Sequence, residues 1–429
     1  MTVHASIPPR RRGACPGLSA PMPTGDGLLV RLQPIGTVSL RAFAGLCVAA
    51  RECGNGIIEI TARGSIQVRG LSGASAPHFA NAVAALNIVA AGGVPVLTNA
   101  LSGLDAEEIL DAGELAVDLR RALNASSFAA RLAPKVSVVI DGGGALGLDA
   151  LSADLRLRAE MNRGARMVRI GAGGDATSAC DLGVVAPAQA VEAAVRLLGV
   201  LAQRGYDARA RDILAAEGAE PFRTILADLV CDAPVPKFST LHEPIGAFRL
   251  RDASLAGGIG LAFGHADEST LRQLIEAAVA AGAAGVRAAP GRVLMIVGLD
   301  EEKYSPFIAA AERLGFVVRS DDPRRRVFAC AGAPICSSAY IAARAVAPLI
   351  AKTAAPFLDG PRTIHISGCA KGCAYSGPAA LTAVGTPDGC AVVANGSARD
   401  APFATVAEHE LPTALARCVR EQMRGGRDA

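Results

Sequence analysis

Tryptophan is absent from this sequence, and aromatic residues make up only 4% of its 429 positions. The shortage accompanies an excess of alanine and glycine, with 47 glycines, so it indicates a compositional bias rather than a particular fold. Charge of one sign is also scarce, because 43 lysines and arginines face 40 acidic residues. A net charge of +3 does not suggest a protein that binds nucleic acid or an anionic membrane.

Long hydrophobic runs are missing as well. The most apolar window, residues 81–97, is interrupted by Asn87, by two glycines and by Pro95, so it is too short to span a bilayer. The basic segment HASIPPRRRGACPG at residues 4–17 is not followed by the apolar region of a secretory signal. We therefore expect a soluble cytoplasmic protein. Its length predicts two to four domains with large buried cores.

Eleven cysteines, an odd number in a chain expected to be intracellular, favour metal or redox chemistry over a disulfide framework. Four of them form a C-x5-C pair and a C-x3-C pair: Cys330, Cys336, Cys369 and Cys373. Thiolates select zinc, copper(I) or iron–sulfur clusters, and these spacings fit a cubane cluster better than structural zinc. A helix expected over 337–351 would turn its N-terminal amides towards the cluster, and neighbouring glycines would let the backbone approach it.

The alternative is four buried, inert cysteines, but two close pairs beside glycines make it the weaker interpretation. The other cysteines have no such pairing, and we interpret them as core or surface residues: Cys47, Cys53, Cys180, Cys231, Cys390, Cys418 and Cys15, of which Cys15 in GACPG is the least readily dismissed.

Residues 28–71 and 256–299 form an internal repeat, since they superpose without a gap when one is moved by 228 positions. Each copy predicts a strand, an amphipathic helix and a hairpin of two strands. In the first copy Ser39 can cap a helix over 39–53, and β-branched alternation predicts strand structure within 57–69. A unit of this kind cannot close its own sheet, so we expect the two copies to pack together.

Different α/β units are expected to follow the two copies. After the first copy, strands are predicted at 135–141 and 166–170, with a helix at 187–204. GAGGD at 171–175 lacks the G-x-G-x-x-G pattern of a dinucleotide site, and we expect a tight loop there. The four-cysteine segment follows the second copy. The chain therefore reads as two tandem halves.

The cysteine spacing resembles the signature of the sulfite and nitrite reductases, which hold siroheme beside a [4Fe–4S] cluster. ITARGSIQVRG at 60–70 looks like their T-x-R-x-x-x-Q strand, which would place Thr61, Arg63 and Gln67 at a tetrapyrrole. Residues 100–111, 132–143 and 209–226 resemble further segments of that superfamily, the second of them its lysine-bearing strand, here with Lys135.

The resemblance implies an α+β and α/β fold of sulfite reductase type. Its two ferredoxin-like half-units pair pseudo-symmetrically, and two α/β domains complete it. The expected domains are a first half-unit at 13–90, a central α/β domain at 91–240, a second half-unit at 241–320 and a cluster-binding α/β domain at 321–429.

Several positions depart from the reductases and fit one branch of the superfamily, the precorrin-3B synthases. Val94-Pro95 stands where the reductases carry Arg-Asn, and Ser137 replaces the second lysine of their K-x-K motif. Residues 11–32 and 367–385 are similar to the precorrin-3B synthases, although Tyr375 stands where relatives often have histidine. The branch implies an oxygen-dependent monooxygenase that converts precorrin-3A to precorrin-3B, with a [4Fe–4S] cluster and a mononuclear non-haem iron as a further candidate cofactor.

In this interpretation the tetrapyrrole is the substrate, and cationic side chains bind its carboxylates. The candidates are Arg63, Gln67, Lys135, Arg31 and Arg69, although Arg31 and Arg69 are equally compatible with solvated surface positions. Dioxygen is the co-substrate, and NADH, directly or through a reductase, is the expected electron donor. No pair or triad among the six histidines identifies iron ligands, and His365 on an apparent strand is equally compatible with the core.

Two alternatives remain. One is a siroheme-dependent assimilatory sulfite or nitrite reductase, favoured by the cluster motif and by the strand that carries Arg63 and Gln67. The other is a non-catalytic iron–sulfur electron carrier, which would need no tetrapyrrole pocket.

Overall fold

The computed structural model describes residues 16–235, 243–358, 360–375 and 377–425, with side chains described as far as residue 420. Cys15, His242 and the predicted bound between the second and third domains lie outside these residues. The first repeat copy and its flanks form five strands and two helices: β1 (Met22–Thr24), β2 (Gly27–Leu32), β3 (Val38–Ser39), α1 (Leu40–Cys53), β4 (Ile57–Ile60), β5 (Ile66–Leu71) and α2 (Ser75–Ala85).

Helix α1 begins and ends where the sequence predicts. The Ser39 hydroxyl accepts a hydrogen bond from the Ala42 backbone N–H, which satisfies one of the free amides of the first turn. Phe43 and Leu46 are fully buried on one face of the helix, and Gly54 follows its last turn. The amphipathic pattern therefore fixes both the position of the helix and the face that packs on the sheet.

After the central part of the chain, the second copy repeats the first element by element. Its elements are β11 (Gly246–Arg249), β12 (Leu255–Gly260), β13 (His265–Asp267), α7 (Glu268–Ala280), β14 (Gly285–Ala289), β15 (Val293–Leu299) and α8 (Glu301–Arg313). The first residues of α1 and α7, of β4 and β14, and of β2 and β12 are all separated by the same offset. The predicted repeat is confirmed.

The two copies exchange strands. One sheet has the order β1-β2-β5-β4-β13 and the other β11-β12-β15-β14-β3, so each copy gives its short strand before the helix to the edge of the other sheet. Helices α1 and α7 pack together in one shared hydrophobic core that contains buried residues of both copies. The pseudo-symmetric pairing of the half-units is confirmed, because neither sheet is complete without the other copy.

The central part of the chain forms a mixed sheet with helices packed on it. Its elements are β6 (Val96–Thr98), α3 (Ala112–Ala125), β7 (Val138–Asp141), β8 (Ala153–Asn162), β9 (Ala165–Gly174), β10 (Cys180–Val185), α4 (Ala190–Gln203), α5 (Ala210–Glu217) and α6 (Glu220–Leu226). The expected tight loop at 171–175 is wrong: residues 171–174 continue strand β9, and the turn begins at Asp175. Antiparallel pairing with β8 and β10 holds Gly171 in the sheet, and pairing with β8 holds Gly174 there. Strand β8 was not predicted.

The C-terminal part forms a fourth sheet. Its elements are β16 (Val327–Ala329), α9 (Ala343–Thr353), β17 (Ile364–Ser367), β18 (Ala379–Thr386), β19 (Gly389–Gly396), β20 (Ala404–Val406) and α10 (Leu411–Gly425). The helix expected from residue 337 begins only at Ala343, so its N-terminal amides lie farther along the chain from Cys336 than expected. Turns fill residues 337–342 instead.

The central and C-terminal sheets have the same topology, which the sequence did not reveal. The strand order is β6-β7-β8-β9-β10 in one and β16-β17-β18-β19-β20 in the other. In both sheets the first two strand pairings are parallel. The third and fourth pairings are antiparallel. The register agrees too, because Val138 pairs with Leu155 as Ile364 pairs with Leu381. The expectation of different second units is therefore wrong, and the whole chain is a tandem duplication.

Across the described ranges, no helix combines the length and the apolar character that crossing a membrane requires.

Candidate functional site: two cysteine loops and an arginine-rich sheet face

The four paired cysteines lie on two adjoining loops. Cys330 follows β16 and Cys369 follows the parallel strand β17, and the carboxyl ends of neighbouring parallel strands meet at one edge of a sheet. Tyr340 N–H donates to the Gly368 carbonyl across the loops (2.8 Å). The structure therefore brings the loop of the first cysteine pair against the loop of the second.

Gly368 lets the two loops approach closely. Its N–H donates to Cys330 Sγ at 3.0 Å, and a Cβ at this position would lie 3.3 Å from that sulfur and 2.6 Å from the Ala339 Cβ. Burial raises the pKa of the Cys330 thiol, N–H bonds from Gly368 and Gly332 oppose this, and the negative charges of Cys373 and Cys336 raise it further. The Cys336 and Cys373 thiols therefore lie near enough to Cys330 to act on its charge.

The duplicate in the central domain has the same loops without cysteine. The loop after β6 and the loop after β16 are equally long, since they occupy residues 99–111 and 330–342 and lead to helices that begin at Ala112 and Ala343. Asp105 N–H donates to the Leu101 carbonyl (2.9 Å), and Cys336 N–H donates to the Gly332 carbonyl (2.8 Å) at the equivalent positions. The two halves of one molecule therefore share this backbone arrangement.

Polar side chains connect the central loops where the C-terminal loops carry cysteines. Asn99, the equivalent of Cys330, accepts from Gly142 N–H at 2.7 Å, as Cys330 Sγ accepts from Gly368. Asp105, the equivalent of Cys336, accepts from Ala145 N–H in the second loop at 2.7 Å. A group bound by the four thiols would connect the C-terminal loops as these side chains connect the central ones.

The donor set distinguishes between metal groups. Among the residues the structure describes, no three His, Cys, Asp or Glu side chains lie close enough together to hold one metal ion. A mononuclear iron therefore has no fitting ligand set in these ranges. A cubane differs because each thiolate binds a different iron, which separates the four sulfurs. Four cysteines on two adjoining loops, with an amide aimed at one sulfur, fit such a cluster.

Arg63 lies at the tip of the β4–β5 hairpin and reaches the central domain. Its Nη1 donates to the Ser152 carbonyl (2.8 Å), and its Nη2 lies 3.3 Å from Ser137 Oγ. Lys135 precedes Ser137 in a turn, ahead of β7 rather than on the strand. Arg63 and the Lys135–Ser137 segment, predicted to act together, are therefore neighbours. Thr61 is used differently, since its hydroxyl accepts from Ser65 N–H within the hairpin turn.

A small open cleft of about 70 Å³ adjoins Arg63, between the duplicated domain and the central sheet. Gln33, Gly36 and Arg287 line it from the repeat copies, and Asn99 lines it from the loop after β6. Arg63 therefore lies where the two repeat copies and the central domain meet.

Arg31, Gln67 and Arg69 lie on one face of the first sheet and are joined through Glu59. Gln67 pairs in register with Arg31 on one side and Glu59 on the other. With its amide oriented to satisfy both neighbours, Gln67 accepts from Arg31 Nη2 (2.6 Å) and donates to Glu59 Oε2 (3.0 Å). Arg69 Nε donates to Glu59 Oε1 at 2.8 Å. Arg69 is thus a buried, paired residue and not a solvated one.

Arg344, on α9 of the C-terminal domain, was not predicted. Its Nη2 also donates to Glu59 Oε1 at 2.8 Å. Burial opposes ionisation of Glu59, but the charges of Arg344 and Arg69 outweigh burial and hold its pKa below the ordinary value. Three buried guanidinium nitrogens, Nη1 of Arg69 and both Nε and Nη1 of Arg344, have no hydrogen-bond partner among the described residues. Three unsatisfied cationic donors beside a single carboxylate would favour another anion.

Two histidines in this region are held neutral. His265 on β13 lies opposite Glu59 on β4 in the sheet. Burial, and to a smaller extent the charge of Arg344, lowers the pKa of His265 to about 4. His365 is completely buried on β17, and burial followed by the charge of Arg292 lowers its pKa to about 4. Neither ring nitrogen of His365 has a hydrogen-bond partner among the described residues. Its predicted strand position is correct, and Val139 occupies the equivalent place in the central sheet.

Tyr375 and Arg292 lie next to the second cysteine loop. The Tyr375 ring stacks on Phe328 with 4.5 Å between ring centres and lies edge-on to His365. The Arg292 guanidinium lies 4.8 Å from the centre of the Phe328 ring, and its Nη2 donates to the Ala374 carbonyl at 3.2 Å. No sequence motif marks Arg292. Its signal is structural, because it belongs to the hairpin turn of the second copy.

Comparisons with known proteins agree with this architecture. A model of the nitrite/sulfite reductase ferredoxin-like half domain matches residues 20–86. The precorrin-3B synthase of Sinorhizobium sp is 39% identical over 411 residues, which cover 96% of this chain and 88% of that protein.

Two mycobacterial proteins are more distant. Sulfite reductase (ferredoxin) 1 of Mycolicibacterium paratuberculosis (strain ATCC BAA-968 / K-10) is 24% identical over 181 residues, 39% of this chain and 32% of that protein. The structure of the Mycobacterium tuberculosis NirA protein superposes with a TM-score of 0.76 and 20% identity, covering 92% of this chain and 80% of that one. At this identity the likeness shows the fold alone.

Proposed function

Because this chain belongs to the precorrin-3B synthase family, we propose that it is the monooxygenase that converts precorrin-3A to precorrin-3B. The reaction hydroxylates C20 and forms a γ-lactone from the ring A acetate. The identity of 39% across 96% of the chain carries this proposal. Dioxygen is the proposed co-substrate. It accepts two electrons from the donor, so that one oxygen atom enters the product and the other leaves as water.

Cys330, Cys336, Cys369 and Cys373 are the proposed ligands of a [4Fe–4S] cluster. When bound, such a cluster supplies electrons one at a time, which triplet dioxygen requires. The support is the adjoining position of the two loops, the Gly368 N–H bond to Cys330 Sγ and the substitution of cysteine for the polar cross-links of the central domain. We assign no ligands to a mononuclear iron, and His4 and His242 lie outside the described residues.

Arg63, Lys135, Arg31, Gln67 and Arg69 are proposed to bind the carboxylates of the tetrapyrrole. Arg63 reaches the segment of Lys135 and Ser137 beside the open cleft. On the adjoining sheet face, Arg69 Nη1 is buried without an acceptor among the described residues. A carboxylate of the ligand would accept its hydrogen bonds, whereas apolar ligand atoms would leave the cost of burying this nitrogen uncompensated.

Arg344 joins this set from the C-terminal domain. Through Glu59 it links the helix after the cysteine loops to the strands that carry the other candidates. A tetrapyrrole at this face would therefore contact both the sheet of the first copy and the domain of the cysteine loops.

NADH is proposed to act through a partner protein. Residues 171–174 of the GAGGD segment belong to β9, and a turn leads from them to strand β10, so the segment does not form the strand–turn–helix that holds a dinucleotide phosphate. The donor would then deliver electrons from outside the chain.

The deciding experiment is an absorption spectrum of the protein purified without oxygen, with iron and sulfide analysis, acid–acetone extraction of pigment and a dioxygen-dependent assay with precorrin-3A. We expect about four iron atoms per chain, no extracted siroheme and oxygen-dependent turnover. Extracted siroheme with sulfite or nitrite reduction would make the protein a reductase. Iron without either activity would favour an electron carrier.

Cysteine variants test the ligand assignment. Cys369→Ser is expected to lose cluster absorbance and iron, because serine oxygen is a poor ligand for this cluster. Cys390→Ala is the matched control, since Cys390 is a buried thiol on β19 of the same domain but outside both loops. Equal iron content in the two variants would contradict the assignment.

A further inference from the structure

Arg292 occupies a backbone position that disfavours a side chain. Its φ is 65°, in the left-handed region, and the equivalent residue of the first repeat copy is Gly64 with φ 76°. A residue with a Cβ is strained in this region, whereas glycine adopts it readily. Arginine therefore stands at a position where glycine would be the more favourable residue.

That side chain is directed at the support of the cysteine loops. It covers the ring of Phe328, two residues before Cys330, and it donates to the carbonyl of Ala374, the residue after Cys373. It therefore contacts one residue close in sequence to each cysteine pair. Its charge is also felt by the buried His365, whose pKa it lowers.

Within the part of the chain that the structure describes, the Arg292 charge has no counter-ion in contact. Among the described residues Arg292 forms no ion pair with an acidic side chain. Glu59 acts on Arg292 electrostatically, but its carboxylate already forms ion pairs with Arg69 and Arg344. Burial and the charge of Arg344 lower the pKa of Arg292 to about 10, which still leaves it charged at neutral pH. A cation in surroundings of low dielectric acts strongly on a neighbouring change of charge.

We propose that Arg292 is a positioning residue that raises the reduction potential of the cluster held by the cysteine loops. Reduction adds one negative charge to an already anionic cluster, and a fixed buried cation stabilises the reduced state more than the oxidised one. The inference rests on the proposed [4Fe–4S] assignment. It adds a residue that no cysteine motif identifies.

The test compares Arg292→Gln and Arg292→Met with Arg292→Lys in the full-length protein. Iron and sulfide are measured per chain, and the midpoint potential is determined by redox titration monitored through the paramagnetic resonance of the reduced cluster. Both neutral variants are expected to shift the potential to more negative values at unchanged iron content. The lysine variant, which keeps the charge, should remain nearer the wild type.

Arg362→Gln is the matched control. Arg362 also covers an aromatic ring, Phe357, at 5.2 Å, but it is exposed and precedes the N-terminal end of β17, whereas the cysteines follow the other end. Its potential should equal that of the wild type. Equal potentials in all iron-containing variants would overturn the role of Arg292 and leave the cluster assignment intact. A wild type without cluster iron would overturn both.

Discussion

The ion pair between Glu59 and Arg344 connects the first sheet to the C-terminal domain. We expect its coupling energy to be larger than that of an exposed ion pair. The side chains are only 11% and 13% exposed, and Arg344 Nη2 lies 2.8 Å from Glu59 Oε1. Removing one partner of a buried pair costs about 3–5 kcal/mol, because the other charge is left desolvated. A hydrogen bond to a charged group contributes about 1.5–3 kcal/mol.

A double-mutant cycle with Glu59→Gln and Arg344→Met isolates this interaction from the bond that Glu59 also makes with Arg69. We expect a coupling energy of about 2 kcal/mol at neutral pH, where Glu59 is ionised. Urea unfolding followed by circular dichroism measures it, since the chain lacks tryptophan for fluorescence.

The control cycle uses Arg249 and Glu301, which are joined at a similar distance of 2.9 Å but are 57% and 63% exposed. Exposed pairs typically contribute about 0.2–1 kcal/mol. If the coupling between Glu59 and Arg344 does not exceed that of the control pair, the reasoning that burial strengthens this contact is refuted.

Two further predictions concern ligand binding and pH. Arg63→Gln should weaken binding of uroporphyrin, a stable tetrapyrrole with eight carboxylates, by about 10- to 100-fold through loss of a charged hydrogen bond. Arg211→Gln, at a side chain 77% exposed, is the control, and equal dissociation constants in the two variants would remove Arg63 from the site. His265 has a folded-state pKa of about 4 against an ordinary value of 6.5, so the unfolded chain takes up its proton first and stability falls as pH decreases from 6.5 towards 4. At pH 5 wild type should have lost about 1–2 kcal/mol more than His265→Gln in urea unfolding, and parallel losses would contradict the assigned cause.

The repeat of the ferredoxin-like units was predictable because insertions did not interrupt it. Equivalent elements keep one constant spacing, the same from Leu40 to Glu268 as from Ile57 to Gly285, so the pattern of strand, helix and hairpin superposes without gaps. Ser39 and the buried face of α1 could be assigned for the same reason, since capping and amphipathic periodicity are local properties.

The likeness of the α/β units escaped the sequence because loop lengths change between the halves. The spacing from Val96 to Val327 is longer than the spacing from Val138 to Ile364, so no single offset aligns both strands. Their residues also differ. Asn99 accepts a hydrogen bond from Gly142 N–H, whereas Cys330 accepts one from Gly368 N–H at the equivalent position. Topology and backbone hydrogen bonds retain a relationship that residue identities have lost.

The residues of the candidate site could be proposed from the sequence only where a motif marks them. The cysteine spacing and Arg63 follow from local patterns, whereas Arg344 meets Glu59 across 285 positions of the chain. Arg292 stands in a turn whose strain is visible only in backbone angles. Long-range electrostatics of this kind depends on how the units pack, and one sequence does not encode it in any periodicity.

The exchanged strands β3 and β13 make the two halves of the chain dependent on each other. Either half alone would expose the hydrogen-bonding edge of β4 or β14, the kind of edge that recruits another chain. A symmetric dimer of half-length chains would contain the same exchange and two equal sets of loops. In one continuous chain the two sets are free to differ: one is closed by its own amides and carboxylates, and the other presents thiols. Covalent linkage thereby permits a single asymmetric centre in an architecture that is otherwise two-fold.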